Sequence, residues 1–444
     1  MKSKISRAEL LLLSASVIIT ILLSLALIRW LAPELLGVPA DLVLVKSEKK
    51  VQPFYENVFR EDHRPQPALE TAAEHFLDFF ISDPFVKSRA KPFLADLGGA
   101  GPHDLLGFRN LAVPNKAEVI AIGDSQTYGN NAVIWKNWPH NLQLLLPQGV
   151  SVYSMATGSW TALQYYYAFR KALYFSPGVV VIAFYTGNDS LEAYTLGIAS
   201  DLWRDFLPGE DIRNLGTPDS HFPPPATEQW QVKFDDGVET VFVPKLRRSS
   251  NLPHQAIDAG YDIMLRVAEK IAEEASSINE LEVLFTLIPT KEYVYSNKVF
   301  AGGLPIDPDY RALIDEEGQR IEEFSSALKQ ISSAGYVDVV TALKEAALSP
   351  AQLYPKDMNG HPLASGYNVI ANALAPAVKP MVEGLPDGFY YSRSSSGSVE
   401  LVYLENSRFW IIANPEKRPA EERPSTISST RLFALTFAGH LYLD

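Results

Sequence analysis

The stretch AEVIAIGDSQTYGN (117–130) decides how the rest of the chain is read. Apolar, partly β-branched residues at 119–122 predict a short buried strand, and Gly123, Asp124 and Ser125 then form a sharp turn into the next helical segment. A serine hydroxyl is thereby delivered to the carboxyl end of a strand, where open α/β sheets carry their chemistry. A nucleophile there needs a base, a group to orient that base, and donors for an oxyanion.

Outward from this stretch the pattern is regular. Further strands are expected at 150–153, 179–184, 283–288 and 337–340, with helices at 138–146, 161–174, about 256–278 and about 307–333. Asp307 is placed to cap the last of these and Pro308 to open it. Strands alternating with helices imply right-handed crossovers and a parallel sheet covered on both faces. Two regions interrupt the rhythm. Residues 197–253 are proline-rich (HFPPPATE) and contain QVKFDDGVETVFVP, two alternating runs about Asp235, Asp236 and Gly237 that predict an inserted hairpin. The tail 385–444 holds FYYSR, SVELVYL, RFWIIA and LFALTFAGHLYL, and reads as a small antiparallel β appendage.

The amino-terminal end has its own signal. Segment 1–9 carries Lys2, Lys4 and Arg7, and 10–28 is without charge. At about 1.5 Å per residue that run measures about 28 Å, close to a bilayer's hydrocarbon core. Residues 10–30 therefore read as a membrane anchor with a cytoplasmic basic flank, leaving the main domain extracytoplasmic, periplasmic or at the cell surface. A cleaved signal peptide is the rival reading. Ser16, Thr20 and Ser24 share one face of such a helix, where small polar residues permit a membrane-protein partner to approach. Residues 31–116 read as a stalk and a packed lead-in, with RPQPALETAAEHFLDFF (64–80) as a Pro-led helix. The main domain is expected at 117–384.

Composition removes several classes. The chain has no cysteine, so disulfides, thiolate metal sites and a cysteine nucleophile are excluded. A net charge of −13 argues against nucleic acid and anionic lipid as partners and favours neutral substrates. The histidines show no metal-ligand spacing, and neither metal nor cofactor is expected.

Four blocks fall at predicted strand ends: GDS (123–125), SMATGSW (154–160), YTGNDS (185–190) and YPKDMNGHPLASGY (354–367). Taken singly, each reads as turn, cap or loop. In this order they resemble the SGNH hydrolase superfamily, the GDSL esterases, across 107–375 apart from the insertion. The resemblance implies a flavodoxin-like three-layer α/β/α fold with about five parallel strands. It implies Ser125 as nucleophile, His361 as base, Asp357 as acid, and an oxyanion hole from Ser125, Gly158 and Asn188. One departure stands out, because the family's acid lies three residues before the histidine, where this chain has Met358. Asp357 is the nearest carboxylate, and a backbone carbonyl or Asn359 is the alternative holder of the ring.

Asp124, beside the serine, and Trp160, just past Gly158, are the substrate-binding candidates, Trp160 for stacking on a sugar. The run IPTKEYVY (288–295) is similar to a segment of SGNH-like polysaccharide O-acetyltransferases around Pro289 and Lys291. Three functions follow as expectations: an esterase releasing a small acyl group from a glycan or lipid-linked substrate, an O-acetyltransferase acting on an exported or cell-surface polysaccharide, or a non-catalytic assembly subunit that keeps the fold.

Overall fold

The computed structural model describes residues 80–382 except 84–85, 97–99, 115 and 220–223, and beyond them the backbone of four strands between 388 and 426. The anchor 10–30, the Ser16, Thr20 and Ser24 face, the stalk as far as residue 79 and LFALTFAGHLYL lie outside the described residues. Among the described residues no helix is long and apolar enough to cross a membrane.

Among the described residues nine strands precede residue 382: β1 (Phe80–Asp83), β2 (Lys87–Ala90), β3 (Val119–Gly123), β4 (Val152–Ala156), β5 (Val179–Tyr185), β6 (Trp230–Lys233), β7 (Glu239–Phe242), β8 (Glu282–Ile288) and β9 (Gly335–Val337). Five of them form one parallel sheet in the order β4-β3-β5-β8-β9. This is the flavodoxin-like 2-1-3-4-5 order, whose switch point lies between β3 and β5. The hairpins β1-β2 and β6-β7 stand apart as antiparallel pairs. The backbone at Gly388–Arg393, Val399–Glu405, Arg408–Ile412 and Ser425–Thr426 forms a further antiparallel four-stranded sheet.

The helices are α1 (Ser125–Tyr128), α2 (Trp138–Leu145), α3 (Ala162–Ala172), α4 (Asp189–Ala199), α5 (Pro244–Arg248), α6 (Gln255–Ser276), α7 (Lys291–Val294), α8 (Ser296–Ala301), α9 (Pro308–Gln330), α10 (Val339–Ala347) and α11 (Ala364–Val378). Successive strand residues point to opposite faces, and each face has its own core. Ile120, Ile122, Ile182 and Phe285 pack with Phe169 of α3, Met264 of α6 and Phe324 of α9. Val119, Ala121, Val181 and Leu284 pack with Trp138 of α2, Leu343 of α10 and Leu374 of α11. The result is three layers, α/β/α.

One sequence expectation needs correction. The apolar run at 337–340 is not one strand, because Asp338 accepts the Thr341 N–H and starts α10, so β9 ends at Val337. α4 continues to Ala199, with Gly197 buried within it, close to the expected start of the insertion at about 197. The expected hairpin pairs Trp230 with Phe242, and Asp307 caps α9 through the Asp309 and Tyr310 N–H groups.

Candidate active site

The turn after β3 is built for close contact. A methyl group at Gly123 would lie 2.1 Å from Thr127 Oγ1 and 3.0 Å from the Ala183 carbonyl oxygen, so no larger residue fits. Asp124 caps α1, its Oδ1 accepting the Gln126 N–H at 2.8 Å. The helix ends after one turn at Gly129, whose φ is 90°. Arg109, 1% exposed, donates to the carbonyls of Gly101, Gly129 and Ala132 and so fixes the loop behind Ser125. Sequence reading assigned no role to this arginine, although its segment, HDLLGFRN, ends just before the first core strand.

His361 Nε2 lies 2.7 Å from Ser125 Oγ. A chain of partners sets the tautomer of the ring. The His361 carbonyl can only accept, and it takes Asn131 Nδ2 at 2.9 Å; Asn131 Oδ1 then accepts Asn359 Nδ2 at 2.9 Å. Asn359 Oδ1 is left as the acceptor for His361 Nδ1–H at 2.7 Å and for the His361 backbone N–H at 3.0 Å. With Nδ1 protonated, the lone pair on Nε2 faces the serine.

Asp357 does not take the position expected of it. Its Oδ1 accepts the Asn359 N–H at 2.8 Å, which turns the loop and presents the Asn359 amide, not the Asp357 carboxylate, to the imidazole. Lys291, 0% exposed, secures the same loop. Its ammonium donates to the carbonyls of Val241, Asp357 and Asn359 at 2.7, 2.8 and 3.1 Å.

The expected oxyanion donors follow β4 and β5, the neighbours of β3. A methyl at Gly158 would lie 3.9 Å from Ser125 Cβ and 3.5 Å from the Phe80 ring, so the Gly158 backbone borders the nucleophile. Asn188 Nδ2 donates to Glu192 Oε1 at 3.0 Å, which leaves the second N–H of that amide for a ligand. Asp189, fully buried, anchors the turn by accepting Tyr185 N–H and Tyr165 O–H, each at 2.9 Å.

Both substrate-binding candidates are buried. Trp160 is 1% exposed, packs edge-on against Phe108 and donates its indole N–H to Ser88 O at 2.8 Å. Ser159, with φ 61°, turns the chain so that this ring enters the core. Asp124 is completely buried, with Oδ2 3.2 Å from Ser125 Oγ. The hydroxyl proton thus has two acceptors within reach, and the 2.7 Å contact to His361 is the shorter.

Burial dominates the electrostatics. It pushes Asp124 up to about 7 and Glu192 up to about 8, and it raises Asp189 as well. His361 is held down at about 3, first by burial and then by the positive charges of Arg247 and Lys291. The imidazole is therefore neutral and able to accept a proton across the ordinary pH range. Among the described residues no group of His, Cys, Asp and Glu is gathered that could hold a metal ion. A cavity of about 720 Å³ bordered by Tyr166, Tyr174, Phe206 and Glu273 includes none of the site residues.

No family model and no curated protein matches this chain. Among solved structures it is similar to a GDSL-like lipase from Bacteroides thetaiotaomicron, at 14% identity and a TM-score of 0.32 over 60% of this chain and 88% of that one. It is also similar to a catalytic mutant of an acetylxylan esterase from Geobacillus stearothermophilus, at 13% identity and a TM-score of 0.32 over 62% of this chain and 99% of that one. At these scores the chemistry of those proteins does not carry over to this chain.

Proposed function

We propose that the chain is a serine esterase that cleaves a small acyl ester through an acyl-serine on Ser125. One observation carries this reading, the 2.7 Å approach of His361 Nε2 to Ser125 Oγ with Nδ1 already held as a donor. His361 takes the hydroxyl proton as Oγ attacks the ester carbonyl. The tetrahedral oxyanion is met by the N–H groups of Ser125 and Gly158 and by the second amide N–H of Asn188. Collapse expels the alcohol, which receives the proton from His361. Water then repeats the sequence, releasing the acid and restoring Ser125.

The basic flank and uncharged run of 1–28 support an extracytoplasmic enzyme anchored by 10–30, working on an acylated glycan or lipid-linked ester. An O-acetyltransferase would share the acyl-serine and pass it to a sugar hydroxyl. The similarity at IPTKEYVY adds no weight to that reading, because Lys291 is occupied by three backbone carbonyls. The test is hydrolysis of acetyl esters by the full-length chain, its Ser125→Ala and His361→Ala variants, and the wild type with added oligosaccharide. Turnover lost in both variants, with acetate rather than acetylated sugar as product, is expected. Turnover that survives Ser125→Ala would overturn the reading, and acetylated sugar as the main product would replace it with the transferase.

A further inference from the structure

Lys291 and Arg109 spend their hydrogens on backbone carbonyls, but a third cation beside the catalytic loop does not. Arg247, on α5 of the insertion, lies against Gly360, the residue before His361; a methyl at Gly360 would be 2.5 Å from Arg247 Nη2 and 3.5 Å from Tyr185 Oη. Arg247 Nε is buried without a hydrogen-bond partner, and so is Tyr185 Oη. Glu292 supplies a counter-charge, but its Oε2 stays 4.0 Å from Arg247 Nε, and that oxygen too lacks a hydrogen-bond partner. Asn251 fixes the arrangement by donating from Nδ2 to Thr186 O at 3.0 Å and to Arg247 O at 3.3 Å, which ties α5 to the loop after β5. The Arg247 side chain as a whole is 17% exposed, while its Nε and Tyr185 Oη are buried.

Resting on the esterase reading, we infer that Arg247 and Tyr185 form a carboxylate-binding subsite beside His361, and that the ester substrate is an acylated acidic sugar. Buried donors without acceptors call for a ligand that accepts, and a guanidinium matches the two oxygens of a carboxylate as a planar fork. The net charge of −13 spoke for neutral substrates. At physiological salt, however, charges beyond about 8 Å are largely screened, so the net charge of the whole chain does not decide what enters. Both Arg247 and Lys291 make the surroundings of His361 positive.

The experiment measures binding of free D-glucuronate and of D-glucose to the full-length chain by calorimetry. In parallel it compares kcat/KM for the acetyl esters of the methyl glycoside of glucuronic acid, its carboxylate free, and of methyl glucoside. The wild type and Ser125→Ala are expected to bind glucuronate in preference to glucose. Arg247→Gln should weaken glucuronate binding and the preference for the uronate ester by about tenfold or more, the usual scale for removing a partner that a site is built to pair. Tyr185→Phe leaves no unpaired charge and should weaken binding by about threefold to tenfold, so it decides the matter if Arg247→Gln fails to fold. Equal binding of both sugars, or glucuronate binding unchanged in the folded variants, would overturn the subsite. Glucuronate binding by a chain that hydrolyses neither ester would leave the subsite standing and count against the esterase.

Discussion

His361 Nδ1 meets Asn359 Oδ1 at 2.7 Å, so an amide holds the ring that faces Ser125. A neutral amide sets the tautomer and the angle of the imidazole but adds no negative charge to steady the imidazolium formed during attack. With His361 already held at about 3, the resting base is weak.

Asn359→Asp is therefore expected to raise kcat/KM for a simple acetyl ester by about tenfold to hundredfold, by bringing the base nearer the working pH. The acid limb of the pH profile should move up from near pH 3 toward the ordinary histidine range. A limb that stays in place, with no gain in rate, would show that the orienting group does not control the base.

Asp357→Asn is expected to change kcat/KM by less than about threefold, because an amide oxygen can still accept the Asn359 N–H that Asp357 receives. A loss of about 10³-fold or more, the scale seen when a triad acid is neutralised, would return the acid's role to Asp357.

Lys291→Met removes the shared donor from the carbonyls of Val241, Asp357 and Asn359. Leaving such acceptors unsatisfied is expected to destabilise the fold by on the order of 3 kcal/mol in urea unfolding. Since Lys291 also holds His361 down, the acid limb should rise in the same variant. An unchanged urea midpoint would remove Lys291 from this role.

Stability should fall between pH 6.5 and 8. Asp124, Glu192 and Glu317 are pushed up to about 7, 8 and 7 by burial, so their contribution is complete below about pH 4 and lost as pH rises through those values. His103, His140 and His361 are held at about 4, 4 and 3, so theirs is complete above about pH 6.5 and lost on acidification. The two slopes oppose each other from about pH 4 to 6.5, and from there to about 8 the carboxyl slope acts alone. Above about 8 Lys291, held down at about 8 by burial, adds a slope of the opposite sign. Tm measured across the series should decline from pH 6.5 to 8; a rise over that interval would contradict this reading of the buried carboxyls.

What the sequence made legible was local. Strands buried on both faces announce themselves as short apolar runs, and GDS, SMATGSW, YTGNDS and the His361 block each mark a strand end or loop by residue type. Choices settled by three-dimensional turns were not legible. Whether Asp357 or Asn359 reaches His361 depends on a loop folded round a lysine from α7, and Trp160 is carried inward by one left-handed residue. Asp338 reads as part of a strand until its side chain is seen capping α10. Arg247 sits in an insertion that pattern reading sets apart from the sheet, yet it packs on the residue preceding His361.

The central claim is that Ser125 carries the acyl group, and intact-mass analysis of the full-length chain after reaction with a fluorophosphonate tests it most directly. One adduct is expected, mapped to the peptide containing Ser125, absent from Ser125→Ala and formed about 10²-fold more slowly by His361→Ala. A natively folded protein that stays unlabelled, or an adduct on another residue, would contradict it.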